Sequence, residues 1–176
     1  MKSIITCVML WVCIAGCSTT GSLVRLAPDY SDLPADELRA LATQIEVIVS
    51  KGESEFVLDI PAGLRMDTPE MNQAIRTRSI RHSLLFELLD SGFATEGRNG
   101  LIAIKRSSAY KKATTSRQRD REAMLVMSEN RNRWALYEGL LEANGWAPGN
   151  LSAVQETFFQ ARVPLMGVGQ QHAPLE

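Results

Sequence analysis

Apolar residues spaced by three and four, fenced by residues that start and stop helices, dominate this chain. Between Asp32-Leu33-Pro34 and Lys51-Gly52, Leu38, Leu41, Ala42, Ile45, Ile48 and Val49 fall on one stripe of a 3.6-residue period. That spacing suits a helix with one buried face and cannot serve a strand, whose side chains alternate at every residue. Asp36 and Glu37 in the first turn and Lys51 in the last complement the helix dipole, and Gly52 accepts the left-handed conformation that closes a helix. The pattern recurs three times. Thr68-Pro69-Glu70, preceded by Asp67, places a capping hydroxyl before a proline at the first helical position, and Ser91-Gly92 ends that segment. Its expected buried face is Ala74, Ile75, Leu84, Leu85, Leu88 and Leu89. Thr115 with Gln118 forms a capping-box pattern opening the longest segment, which runs to Asn144-Gly145. Ala123, Met127, Trp134, Tyr137 and Leu141 are its expected core stripe. Asn150 is placed to cap a last helix bearing Leu151, Val154, Phe158 and Phe159, stopped by Val163-Pro164.

One stretch breaks the helical period. Phe93-Ala94-Thr95 and Leu101-Ile102-Ala103-Ile104 flank Asn99-Gly100, a favoured two-residue hairpin turn. A lone hairpin is marginal in water, so it must pack on the helices. Phe56-Val57-Leu58 is equally consistent with a short strand and with an extended segment laid on the core. The expected fold class is therefore mainly α: a small domain of about four helices over 33–163 with one short β-hairpin packed on it. Residues 164–176, rich in Gly, Gln and Pro, read as a mobile tail.

The N-terminus predicts a different fate for residues 1–16. Lys2 precedes an apolar stretch from Ile4 to Ile14, too short for a permanent membrane span, and Ile14-Ala15-Gly16-Cys17 sets small residues before a cysteine. These four residues resemble the bacterial lipobox, which implies a signal peptide over 1–16 and a mature chain acylated at Cys17. Ser18 after that cysteine resembles the pattern sorted to the outer membrane, so the expected location is a periplasm-facing position on its inner leaflet. Residues 17–32 are polar and small, as befits a flexible tether. Removing residues 1–16 from 176 leaves 160, enough for one ordinary domain. The only other cysteines, Cys7 and Cys13, leave with the signal, so the mature chain holds no second thiol for a disulfide, thiolate catalysis or Cys-ligated metal.

The formal net charge of −1 lacks the basic excess a nucleic-acid binder uses to displace counterions. The only histidines are His82, within a helical segment, and His172, in the tail. No Gly-x-Ser-x-Gly elbow, HExxH pattern or phosphate-cradling glycine loop occurs, and nothing resembles a cofactor pocket. The ordinary reading of Arg76, Arg78 and Arg81 is a solvated face with stems lying along the helix. Lys105-Arg106 and Lys111-Lys112 around Tyr110 read as a solvated basic connector. One polar-aromatic cluster stands out: Glu129, Asn130, Arg133, Trp134 and Tyr137 on the longest helix. Glu129 and Arg133 are one turn apart in the favourable order, and Asn130 needs a hydrogen-bond partner if buried. The cluster is either a buried network that fixes helix register or an interaction site.

Several motifs in order carry a family resemblance. Thr68-Pro69-Glu70 opens a helix with Arg76, Arg78 and Arg81. The Gly97/Asn99-Gly100-Leu101 element follows, then Glu129-Asn130-x-x-Arg133-x-x-x-Tyr137, Ala143-Asn144-Gly145, and a helix with Val154, Phe158, Ala161 and Arg162. Residues 68–163 resemble the YdbL-like family of small bacterial periplasmic proteins. The resemblance implies a mostly helical periplasmic protein without known enzymatic activity, associated with an envelope bridge for phospholipid transport as an accessory factor. The chain departs from that pattern in its own lipid anchor, an extra N-terminal helix and the absence of a Gly-Trp/Tyr-rich ending. The leading expectation is a non-enzymatic lipoprotein, held to the membrane through Cys17, that assembles or regulates an envelope complex through a protein partner. The alternatives are a cell-wall-associated tether and a hydrolase using Glu129.

Overall fold

The computed structural model describes residues 30, 32–66 and 68–174; the expected signal peptide 1–16, Cys17 and nearly all of the tether over 17–32 lie outside them. The chain is mainly helical, with a small three-stranded sheet packed against the helices. In order, the elements are α1 (Ala35–Lys51), α2 (Pro69–Asp90), β1 (Ala94–Glu96), β2 (Ile102–Ile104), α3 (Ser108–Ala113), α4 (Ser116–Asn144), α5 (Leu151–Arg162) and β3 (Gln171–His172).

Each long helix forms where its end signals place it. The α1 stripe is buried throughout, and Gly52 closes the helix at φ +71°. The Thr68 hydroxyl accepts the Met71 amide at 3.2 Å, with Pro69 starting α2. Thr115 and Gln118 make the reciprocal capping box of α4, and Gly145 ends it at φ +67°. α5 differs: Asn150 makes no side-chain cap, because a 3-10 turn over Pro148–Asn150 leads the backbone straight into the helix. The basic connector is likewise more structured than its composition suggests. Ser107 caps α3, whose Tyr110 is buried and donates its hydroxyl to Glu122 at 2.5 Å.

α1, α2, α4 and α5 pack in a cycle, each touching the next. Their main core joins the α1 stripe to Met71 and Ile75 of α2, Leu136, Tyr137, Leu140 and Leu141 of α4, and Val154 and Phe158 of α5. Phe56 and Leu58 lie on this core within an irregular extended segment, while Val57 points to solvent. A second, smaller cluster of Leu85, Leu88, Leu89, Ala94, Ile102 and Val126 sits under the hairpin. On α4 the expected stripe is displaced. Val126, Leu136 and Leu140 point inward with Tyr137 and Leu141, whereas Met127 is 67% exposed and Ala123 and Trp134 are half-buried. On α2, Leu84 is also largely exposed. Apolar spacing misplaces the α4 face because its middle turns bury the charged Glu129 and Arg133.

The hairpin pairs Ala94 with Ile104, Thr95 with Ala103 and Glu96 with Ile102. Its turn is one residue out of the expected frame. The Gly100 amide donates to Gly97 O at 2.9 Å, which makes Arg98-Asn99 the central pair and leaves Gly100 in the left-handed region at φ +68°. Asn130 finds its partner at the outer edge of β2, where its amide accepts the Ile102 N–H and donates to the Ile102 C=O, both at 2.9 Å. The side chain thus imitates a neighbouring strand for one residue. Asn130→Ala should destabilise the fold by about 1–3 kcal/mol, since it orphans two part-buried backbone groups. Urea midpoints would give the loss, and hydrogen exchange should accelerate at Ile102 while the α1 amides stay protected.

The C-terminal segment does not hang free as its composition predicts. After a 3-10 turn at Val163–Leu165 it runs to β3, which pairs in parallel with β1: Thr95 opposite Gln171, and Glu96 opposite His172. Ala173 N donates to Glu96 O at 2.9 Å, and the His172 ring meets Phe159 edge-on at 6.0 Å. A Cβ at position 169 would stand 3.1 Å from an Asp90 carboxylate oxygen, so glycine there permits the close passage.

Candidate functional site

Between the two apolar clusters lies a layer of buried charge. Six ionisable side chains alternate in sign around a closed circuit: Glu46, Arg78, Glu129, Arg133, Glu96 and Arg162. Arg78 grips Glu46 with both terminal nitrogens, at 2.8 and 3.0 Å, and donates its Nε to Glu129 at 2.9 Å. Glu129 accepts Arg133 Nε at 2.7 Å, and Arg133 reaches Glu96 at 3.0 Å. Arg162 lies 2.6 Å from Glu96 and returns to Glu46 at 2.9 Å. None of the six exceeds 6% exposure, so bulk water does not screen the circuit.

The fold supplies one or two members from each packed element: Glu46 from α1, Arg78 from α2, Glu96 from β1, Glu129 and Arg133 from α4, and Arg162 from α5. Helical periodicity explains the layering. Arg78 falls between Ile75 and Leu85 on the inner face of α2, and Glu129 and Arg133 fall between Val126 and Leu136 on that of α4. The hairpin loop seals one side. Gly100 O accepts Arg133 Nη1 at 2.7 Å, with Arg162 Nη2 and the Tyr137 hydroxyl each at 3.4 Å. A Cβ on Gly100 would stand 2.6 Å from the Tyr137 oxygen, so only glycine meets both the turn and this contact. A second pair, Arg98 with Glu156 at 2.9 Å, ties the loop to α5.

The electrostatics follow from that geometry. Burial pushes the Glu129 carboxyl up, but Arg78 and Arg133 outweigh it and hold its pKa down at about 2. Glu46 is lowered in the same way: burial opposes, and Arg78 and Arg162 prevail. Burial alone would pull Arg78 down, yet Glu46 and Glu129 raise it above the guanidinium range. Arg78, Arg162 and the two lowered carboxyls are charged at neutral pH. Glu129 at about 2 is a weak base near pH 7 and has no proton to give, so it is poorly matched to acid–base work.

Against the circuit lies a cavity of about 50 Å³, walled also by Leu85, Phe86, Leu165 and Met166, with His82 and Gln170 on its lining. This is room for one or two water-sized molecules. Glu96 Oε2, Glu129 Oε2 and Gln170 Nε2 are buried without a hydrogen-bond partner among the described residues. His82 is half-buried, and its pKa is lowered chiefly by that burial.

Of the cluster expected from sequence, the structure draws Glu129, Arg133 and Tyr137 into this layer, sends Asn130 to β2, and leaves Trp134 half-buried outside it. Arg78, expected on a solvated face with Arg76 and Arg81, is 1% exposed; only Arg76 is open to solvent, and Arg81 bonds Ser128 across to α4. Glu46, Glu96 and Arg162 carry no local signal of burial except that Glu46 sits beside Ile45 inside an apolar stripe. No family model matches this chain, and no curated protein or solved structure does. What the geometry defines is a mainly helical domain whose elements are joined by a buried, charge-neutral ionic circuit.

Proposed function

We propose that this chain is a non-enzymatic lipoprotein, anchored through Cys17 to the inner leaflet of the outer membrane, that acts as an interaction or assembly factor for an envelope complex. The observation that carries the non-enzymatic part is the pairing within the circuit. Each carboxylate of the circuit contacts two of its arginines, and Glu129 is held ionised far below neutrality. Charges arranged to neutralise one another set helix register rather than move protons. The Ile14-Ala15-Gly16-Cys17 string supports the anchor, because a multiply acylated cysteine holds a chain at a membrane stably. A link to phospholipid transport rests on the YdbL-like resemblance of residues 68–163.

Cys17→Ala tests the anchor directly. Mass spectrometry should find acylated Cys17 at the mature N-terminus of the native protein, and the variant should lose the lipid mass and leave the membrane fraction. Crosslinking in intact envelopes should then recover one defined envelope protein. Recovery of peptidoglycan alone, repeated under mild extraction, would replace the assembly factor with a cell-wall tether.

A further inference from the structure

The charge of this nearly neutral chain is sharply polarised. Residues 105–122 carry seven cations, Lys105, Arg106, Lys111, Lys112, Arg117, Arg119 and Arg121, against two acids, Asp120 and Glu122. Five of the seven lie on α3 and the first turns of α4, and Lys105 and Arg106 on the connector just before α3. There a groove of about 650 Å³ runs between β2 and α4. Ile102, Ile104, Val126 and Met127 give it an apolar floor, while Arg106, Lys111 and Arg119 line it against a single acid, Asp120.

One wall of the groove is the edge strand of the sheet that the described residues form, because the strand order is β2-β1-β3. Lys105 N bonds Phe93 O and Gly97 N bonds Leu101 O, so the backbone groups of Ile102 and Ile104 face away from β1. Asn130 already bonds both of those of Ile102. Among the described residues, no side chain substitutes for a strand at Ile104. A sheet edge with its next pairing position open, apolar pockets beneath it and a cationic lining matches an extended segment that pairs by backbone and carries acidic side chains.

We infer that the β2–α4 groove docks an extended acidic segment of a partner protein, added as a short strand beside Ile104 with its carboxylates against Arg106, Lys111 and Arg119. This deepens the reading of the chain as an interaction module and rests on it. Backbone pairing confers affinity for any extended segment, and the cations select an acidic one.

The probe is the fluorescent pentapeptide acetyl-Glu-Val-Glu-Val-Glu-amide, titrated into the full purified chain in mild detergent at low salt. It should bind, with chemical-shift changes centred on residues 102–106. The Arg106→Glu/Lys111→Glu double variant alters only exposed side chains and should weaken binding at least about tenfold, with a flatter salt dependence. A peptide of equal charge, N-methylated at alternate residues, should lose binding by at least about fivefold, since it cannot complete the strand pairing. No binding at millimolar peptide would overturn the proposal, as would equal affinity for the double variant. Equal affinity of the N-methylated peptide would do the same, by leaving only a charge attraction. Acylation and membrane retention at Cys17 are read separately, so failure of the groove leaves the anchored module standing.

Discussion

Arg78→Met is expected to lower the unfolding free energy by about 3–5 kcal/mol, a large fraction of what a domain of this size possesses. The side chain is 1% exposed and makes three hydrogen bonds to two carboxylates. Methionine fills much of the same volume, so the effect reports charge more than cavity. Glu46 keeps Arg162 and Glu129 keeps Arg133, but the circuit is left with three carboxylates and two guanidiniums in a buried layer. Uncompensated buried charge is what makes breaking such a network far costlier than never having built it. Urea unfolding should show a lower midpoint at unchanged slope, and Glu129→Gln in the Arg78→Met background should recover part of the loss by restoring neutrality. An Arg78→Met unfolding free energy within about 0.5 kcal/mol of the parent's would mean that the circuit is electrostatically idle.

The same circuit predicts acid lability with a defined window. Glu129 has a folded pKa of about 2 against an ordinary 4.5, so between these values the unfolded chain binds more protons than the folded one. Its contribution is complete above pH 4.5 and is lost as the pH falls through about 2. Its size is about 3 kcal/mol, at roughly 1.4 kcal/mol for every pH unit that separates the folded and unfolded titration midpoints. Glu46, also lowered, adds in the same direction. Unfolding free energy measured at intervals from pH 7 to pH 2 should therefore decline gently at first, as the unfolded chain takes up the His82 proton that burial disfavours in the fold, and then fall steeply below about pH 5. The Glu129→Gln protein starts less stable and should fall less steeply over that range. Equal slopes for the two proteins would show that Glu129 is not the group being protonated.

These effects arise from residues whose roles local pattern assigns unevenly. Glu129 and Arg133 are legible because their spacing of four places them on one face of a helix. Tyr137 is legible because it continues that face. Arg78 is not, since an arginine flanked by Arg76 and Arg81 looks solvated, and only the packing of α2 against α1 and α4 turns it inward. Glu46 is hidden inside the stripe that marks α1. Glu96 and Arg162 lie 66 residues apart and pair only because β1 and the end of α5 converge. On α4, two buried charges stand where the period asks for apolar residues, which is why apolar spacing runs through Met127 instead of Val126.

Local chemistry determined where the helices begin and end: Thr68-Pro69, the Thr115–Gln118 box, and the glycines at 52 and 145 act on backbone groups within one turn and need no distant partner. The hairpin strands were set the same way, by a change of period around Asn99-Gly100. Tertiary structure alone decided the rest. It seats β3 beside β1, a pairing between segments 76 residues apart that no turn residue encodes. It also selects which side chains of each helix meet at the centre. Burying a charge is unfavourable for any residue taken singly and becomes tolerable only when its counter-charges arrive from other elements. The six-membered circuit is therefore a property of the assembled helices and sheet, written in the sequence only as isolated Glu and Arg residues.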